Sequence, residues 1–295
     1  MRLILTLTLT GVAWTQIAGP IRNKISAGDL LSAESILEVH EREKGRDAQD
    51  LEGLTWVLRG AVLLGDWEKA SRFDAALDAL LEEKLRAGQS PEKEAGVAGA
   101  LGARIEAHAQ ILARRGNKKR AIAFLDEQLK RSAEPAALRS RIYKRRNLLS
   151  LEGAPAPEVV TEESLTPNPP TLASLRGHPV LIFGWAQWCG DCKAQAAALG
   201  RVRARFESRG VRFVTLTRFY EADPAAERAI IRKVWAETYA SLEGLPILIS
   251  RAAMERYGVS STPTLVLIDR AGKVARYLPV RLTEAELDLL LSSSL

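Results

Sequence analysis

Two cysteines are the whole thiol inventory of this 295-residue chain, and they stand three residues apart in Cys189-Gly190-Asp191-Cys192. That spacing suits a reversible disulfide or half of a tetrahedral metal site. No second CxxC completes a four-thiolate site, and His40, His108 and His178 show no ligand spacing. Lys193 follows the second cysteine, so the haem-attachment pattern is not met either. A domain stapled by structural disulfides needs more cysteines at wider separations. The pair therefore reads as redox-active, with no metal and no cofactor beyond the Cys189–Cys192 disulfide itself.

The flanking residues supply the setting that such a pair needs. Pro179-Val-Leu-Ile-Phe183 is a continuous apolar, β-prone run, suited to a strand buried on both faces. A short loop with Trp185 and Trp188 leads to Cys189, and Lys193 to Phe206 carries helical periodicity. Cysteines three apart on a first helical turn share one side and can close a disulfide. The first also meets the free N–H groups and positive dipole end of the helix, which favour its thiolate. Thiolate is the attacking species in disulfide exchange, so Cys189 is expected to be the nucleophile and Cys192 the resolving thiol. Trp188 abuts the thiol and is expected on the substrate side; Trp185 fits either the rim or the core.

Further along, Val211 to Thr217 and Pro246 to Ser250 read as strands joined by a helix from about Pro224 to Ala240. Gly258-Val-Ser-Ser-Thr-Pro-Thr264 then precedes the apolar run Leu265-Val-Leu-Ile-Asp269 and Gly272-Lys273. With Leu172-Ala-Ser-Leu-Arg-Gly177 and Trp188-Cys-Gly-Asp-Cys192, these segments resemble the thioredoxin superfamily, and within it the TlpA/ResA-like exported thioredoxins, over roughly residues 172–291. The resemblance implies an α/β thioredoxin-like fold in the C-terminal half. It also implies a cis peptide bond at Pro263 beside the CxxC, with the Thr262 backbone receiving substrate as an added strand.

The departures from that family bear on tuning. Asp191 stands where many members have proline, and at an effective dielectric of 20 an unscreened carboxylate about 6 Å from the Cys189 sulfur would disfavour the thiolate by roughly 2 to 3 kcal/mol. Gln195 stands where TlpA-like members often carry glutamate, and Phe183 where ordinary thioredoxins bury an aspartate. Gly190, Asp191 and Gln195 are thus the expected tuning positions, and the usual proton-handling carboxylates are missing from theirs.

Residues 21–151 read as helical hairpins. Gly28 to Ala33, Gly65 to Ala70 and Gly116 to Ala121 share a form in which glycine closes one helix and a small alanine lets the next approach. This pattern resembles the tetratricopeptide family in part, the intervals and the aromatic signature departing from it. Residues 152–170 hold Pro155, Pro157, Pro167, Pro169 and Pro170, which exclude helix or central strand and mark a linker before a domain over 171–295. Residues 1–20 pair Arg2 with an uncharged apolar run, the form of an export signal, expected to be cleaved rather than kept as an anchor.

The net charge of +6 comes from basic residues intermixed with acidic ones and no nucleic-acid motif accompanies it, so nucleic acid is not an expected partner. Arg139, Arg141, Lys144, Arg145 and Arg146 form a dense basic cluster on the last expected helix of the helical region. The function expected is an exported thiol–disulfide oxidoreductase of the periplasm or cell envelope, a reductase or thiol-maintenance protein rather than a strong oxidase. It would act on a client protein through a mixed disulfide and draw electrons from a separate donor protein, since no dinucleotide fingerprint follows a strand. The alternative is a scaffold in which the helical region recruits a partner and the thioredoxin-like domain is regulatory or weakly active.

Overall fold

The computed structural model describes residues 17–45, 48–131 and 135–295. The expected export signal falls almost wholly outside these residues. The first part is helical: α1 (Ala18–Ser26), α2 (Leu30–Lys44), α3 (Ala48–Leu64), α4 (Trp67–Arg86), α5 (Ala95–Arg114), α6 (Lys118–Arg131) and α7 (Ala136–Ser150). The turn between α3 and α4 shows why the glycines matter. Gly65 takes φ +76°, which lets Asp66 N–H reach back to the Ala61 carbonyl, and the Asp66 carboxylate then caps α4 at Lys69 N. Ala33, Ala70 and Ala121, the small residues one turn on, are fully buried.

Packing divides the chain into two compact units, Met1–Ala107 and His108–Leu295. The division falls inside α5 and not at the prolines, so α6 and α7 belong with the sheet. The expectation of a single helical unit running to residue 151 took no account of the docking of α7 onto a later helix, which no local pattern records. Asn147 Nδ2 donates to the Arg256 carbonyl at 3.0 Å, and Arg139 pairs with Glu255 at 2.7 Å.

The sheet unit continues with β1 (Glu163–Ser164), β2 (Val180–Gly184), α8 (Gly190–Glu207), β3 (Arg212–Thr217), α9 (Pro224–Thr238), β4 (Ile247–Ile249), α10 (Arg251–Arg256), β5 (Thr264–Ile268), β6 (Val274–Leu278) and α11 (Glu284–Ser292). The strand order is β1-β4-β3-β2-β5-β6. β2, β3 and β4 are mutually parallel, β5 runs antiparallel to β2, and β6 runs antiparallel to β5. Central β2 is buried along its whole length, as its unbroken apolar run requires. Leu181 and Phe183 face a core built with Leu199, Val202, Phe206 and Leu287, while Val180 and Ile182 face one built with Met254 and Tyr257. Burying such side chains contributes about 1.5 to 3 kcal/mol each.

The proline-rich stretch is neither helix nor central strand, but it is tied down at both sheet edges. Gly153 N and Ala156 N donate to Val274 and Gly272 beside β6, and Glu162 N and Leu165 N donate to Ile249 and Ile247 of β4. Edge positions are where residues without an N–H are tolerated.

Candidate functional site

β2 delivers the chain to the site. Trp185 N donates to Leu216 O, and Thr217 Oγ1 donates to Trp185 O, so the loop leaves the sheet at a fixed angle. Trp185 is fully buried and packs on Trp235 and Tyr239, with centroids 5.1 and 4.7 Å away; of the two placements open to it, it takes the core. Burial also pushes the Tyr239 phenol well above its ordinary range.

Cys189 is the N-cap of α8, its sulfur accepting the Cys192 N–H at 3.1 Å. The two cysteines form a disulfide with Cα atoms 5.2 Å apart. Cys189 keeps 6% of its surface exposed and Cys192 none, so the first sulfur is the one that another molecule can approach. Across from it, the Thr262–Pro263 peptide bond is cis, and the Thr262 carbonyl oxygen lies 3.4 Å from the Cys189 sulfur.

Trp188 is 59% exposed, an unusual state for so large an apolar ring, and meets Tyr220 edge-on with centroids 5.5 Å apart. Arg218 lies over the Tyr220 ring at 4.6 Å. Desolvation raises the Tyr220 phenol above its usual range, with the Arg218 charge opposing the shift and Glu227 adding to it.

The tuning positions scatter. Gly190 has nothing within 4 Å of where a Cβ would stand, so no neighbour requires a glycine there. Asp191 points to solvent, with 69% of its side chain exposed and Arg281 3.6 Å away. Partial neutralisation and solvent screening lower its field at Cys189 below the unscreened figure. Gln195 is fully buried, and its Oε1 accepts from Leu282 N at 2.6 Å, joining α8 to the segment before α11. Phe183 is part of the sheet core. The histidines lie elsewhere: His178 Nδ1 sits 3.1 Å from Gly210 O and His108 packs on Phe124. Among the described residues no three histidines, cysteines or carboxylates gather as metal ligands would.

Glu227 is the residue that sequence reasoning passed over. It is fully buried on α9, yet its carboxylate accepts from Gln187 Nε2 at 2.6 Å, Tyr220 N at 2.7 Å and Glu221 N at 2.8 Å. One side chain thereby holds the loop before Cys189 and the loop carrying Tyr220. The only sequence signal is an acidic residue in the first turn of a helix, which is commonplace.

A sheet of this order, with a CxxC disulfide capping α8 opposite a cis-proline, defines a thioredoxin-like oxidoreductase domain. Residues 151–288 match the family model described as Redoxin, and the C-terminal half of the chain carries a Redoxin domain. It is similar to the thiol-disulfide oxidoreductase ResA of Bacillus subtilis (strain 168), 27% identical over 134 residues that cover 45% of this chain and 70% of that protein. ResA of Geobacillus thermodenitrificans (strain NG80-2) is 27% identical over 139 residues, covering 46% and 73% respectively. Among solved structures, a thioredoxin-family thiol:disulfide interchange protein from Chlorobium tepidum TLS aligns with TM-score 0.41 at 19% identity, over 48% of this chain and 95% of that one.

Proposed function

We propose that this chain is an exported thiol–disulfide oxidoreductase that reduces client disulfides, or keeps client thiols reduced, in the periplasm or cell envelope. The observation that carries the reading is the position of Cys189: capped by the Cys192 N–H, slightly exposed, and 3.4 Å from the Thr262 carbonyl. In the reduced protein the same N–H and the helix end stabilise a Cys189 thiolate. That thiolate attacks one sulfur of a client disulfide, and the other client sulfur leaves as a thiolate that takes up a proton. Cys192, deprotonated, then attacks the Cys189 sulfur of the mixed disulfide. The second client thiol is released, and the Cys189–Cys192 disulfide is left. Two electrons and two protons from a separate dithiol donor protein restore the pair.

Thr262 and Pro263 offer a client strand its docking edge, and Trp188 closes the groove beside the thiol. The likeness to the two ResA proteins supports the oxidoreductase part of the reading. The export part rests on the N-terminal sequence; no helix among the described residues is long and apolar enough to cross a membrane. Dithiothreitol-driven insulin reduction by the full chain tests the activity. Turnover above the uncatalysed rate, lost in Cys189→Ser, is expected; equal rates for the two proteins refute it.

A further inference from the structure

The client groove is not built from the Redoxin-matching residues alone. A cleft of about 460 Å³ runs beside the thiol, and Trp188, Arg218, Tyr220 and the segment Val259 to Thr262 line it. The lining is completed by α7, which contributes Ala137, Ser140 and Arg141 and ends just before the matched region begins at residue 151. This helix is held there by close contact. Gly258, two residues before Ser260, has φ +63°, and a Cβ on it would stand 2.2 Å from the Lys144 backbone nitrogen. The Asn147 and Arg139 contacts to α10 fix the same helix a turn to either side.

We propose that this cleft selects clients whose cysteine is flanked by acidic side chains, α7 serving as its specificity wall. The inference rests on the oxidoreductase reading above. Among the described residues, the charged side chains that line the cleft are Arg141 and Arg218, both cationic, on an otherwise largely apolar surface. Among the described residues, Arg218 Nε finds no acceptor. A client strand added along Ser260 to Thr262 advances about 3.3 Å per residue and sends alternate side chains to one face. With its cysteine at Cys189, the neighbouring side chains on that face come to the cleft that Arg141 and Arg218 help to line. A second copy of this chain is a poor occupant, because its net charge is +6 and α7 itself carries Arg139, Arg141, Lys144, Arg145 and Arg146. Like charge opposes that pairing and favours an acidic segment.

The test uses the full chain in its oxidised form and nine-residue peptides with serine in place of the central cysteine, so that no exchange chemistry intervenes. One peptide has aspartate and glutamate flanks, the other lysine flanks. Binding is followed by tryptophan fluorescence at low salt and in 0.5 M salt. The acidic peptide is expected to bind about fivefold or more tightly, with the gap narrowing in salt, falling in Arg141→Gln and falling further in Arg141→Glu. Equal affinities, a lysine preference, binding of neither peptide, or a gap unchanged by both variants each overturns the proposal. A concentration-dependent dimer that excludes both peptides does so as well, by giving the cleft to a second copy. Insulin reduction by the same preparation is scored separately: a failure there with the acidic preference intact sinks the oxidoreductase reading and leaves the binding cleft.

Discussion

The backbone of Lys144 in α7 occupies the space that a side chain on Gly258 would need, the nearest approach being 2.2 Å from the site of a Cβ. Gly258 begins the segment that ends at Pro263, so the helix and the cis-proline loop are packed backbone against backbone. A Gly258→Ala substitution meets two costs. The left-handed φ of +63° disfavours a Cβ by about 1 to 2 kcal/mol, and the overlap with α7 adds roughly 1 to 3 kcal/mol. Urea unfolding should show a loss of about 2 to 5 kcal/mol, and amide exchange in α7 should accelerate. A variant as stable as the parent would mean that α7 does not sit on this loop.

Glu227 gives a graded prediction. Replacing it with alanine leaves three donors, from Gln187, Tyr220 and Glu221, without their acceptor, at about 1 to 3 kcal/mol for each buried group. Glutamine is milder, because the Gln187 Oε1 has no donor among the described residues and a flip of that amide lets it accept from the new side chain. Chemical denaturation should rank the proteins parent, then Glu227→Gln, then Glu227→Ala, with at least about 2 kcal/mol between the last two. The Trp188 emission maximum should move only where the loops come loose, in the alanine variant.

Glu163 of β1 receives both the Nε and Nη2 groups of Arg228 in α9, and the guanidinium holds its carboxyl below the ordinary glutamate range. Because the folded-state value is depressed, the contribution is complete above the unfolded value and disappears as pH falls through the folded one. Both side chains are about one-third exposed, which limits the pair to about 1 kcal/mol or less. Urea midpoints of the parent and Glu163→Gln should therefore differ at pH 7 and converge as the pH is lowered through the folded-state value, below the ordinary glutamate range. A gap that does not narrow on acidification would assign the effect to something other than the carboxylate charge.

Asp191 yields a negative prediction. Exposed and paired with Arg281, it should exert little field on the thiol, so Asp191→Asn should change the Cys189 alkylation rate by less than about twofold between pH 6 and 8. A severalfold acceleration would restore the carboxylate to the tuning role that its sequence position suggested.

What could be read from the sequence was what is local. The apolar run 180–183, the CxxC at a helix start and the Thr-Pro-Thr before β5 each declare themselves within a few residues, and the sheet is assembled around them. Glu227 and α7 stayed hidden for the opposite reason. A first-turn glutamate looks solvent-exposed until two distant loops close over it, and a basic helix looks like a solvated face until a glycine over a hundred residues away admits its backbone. β1 was missed because two residues at a sheet edge carry no period. The proline stretch was rightly read as non-helical, but composition does not say what an extended segment will hydrogen-bond to.

The central claim is that the sulfur of Cys189, and not that of Cys192, meets the client. Its most direct test is mass spectrometry of the full chain after incubation with oxidised insulin, comparing Cys192→Ser with Cys189→Ser. The account predicts a dithiothreitol-reversible insulin adduct on Cys189 in the first variant and little or none in the second. Adducts of equal yield in both, or in neither, would contradict it.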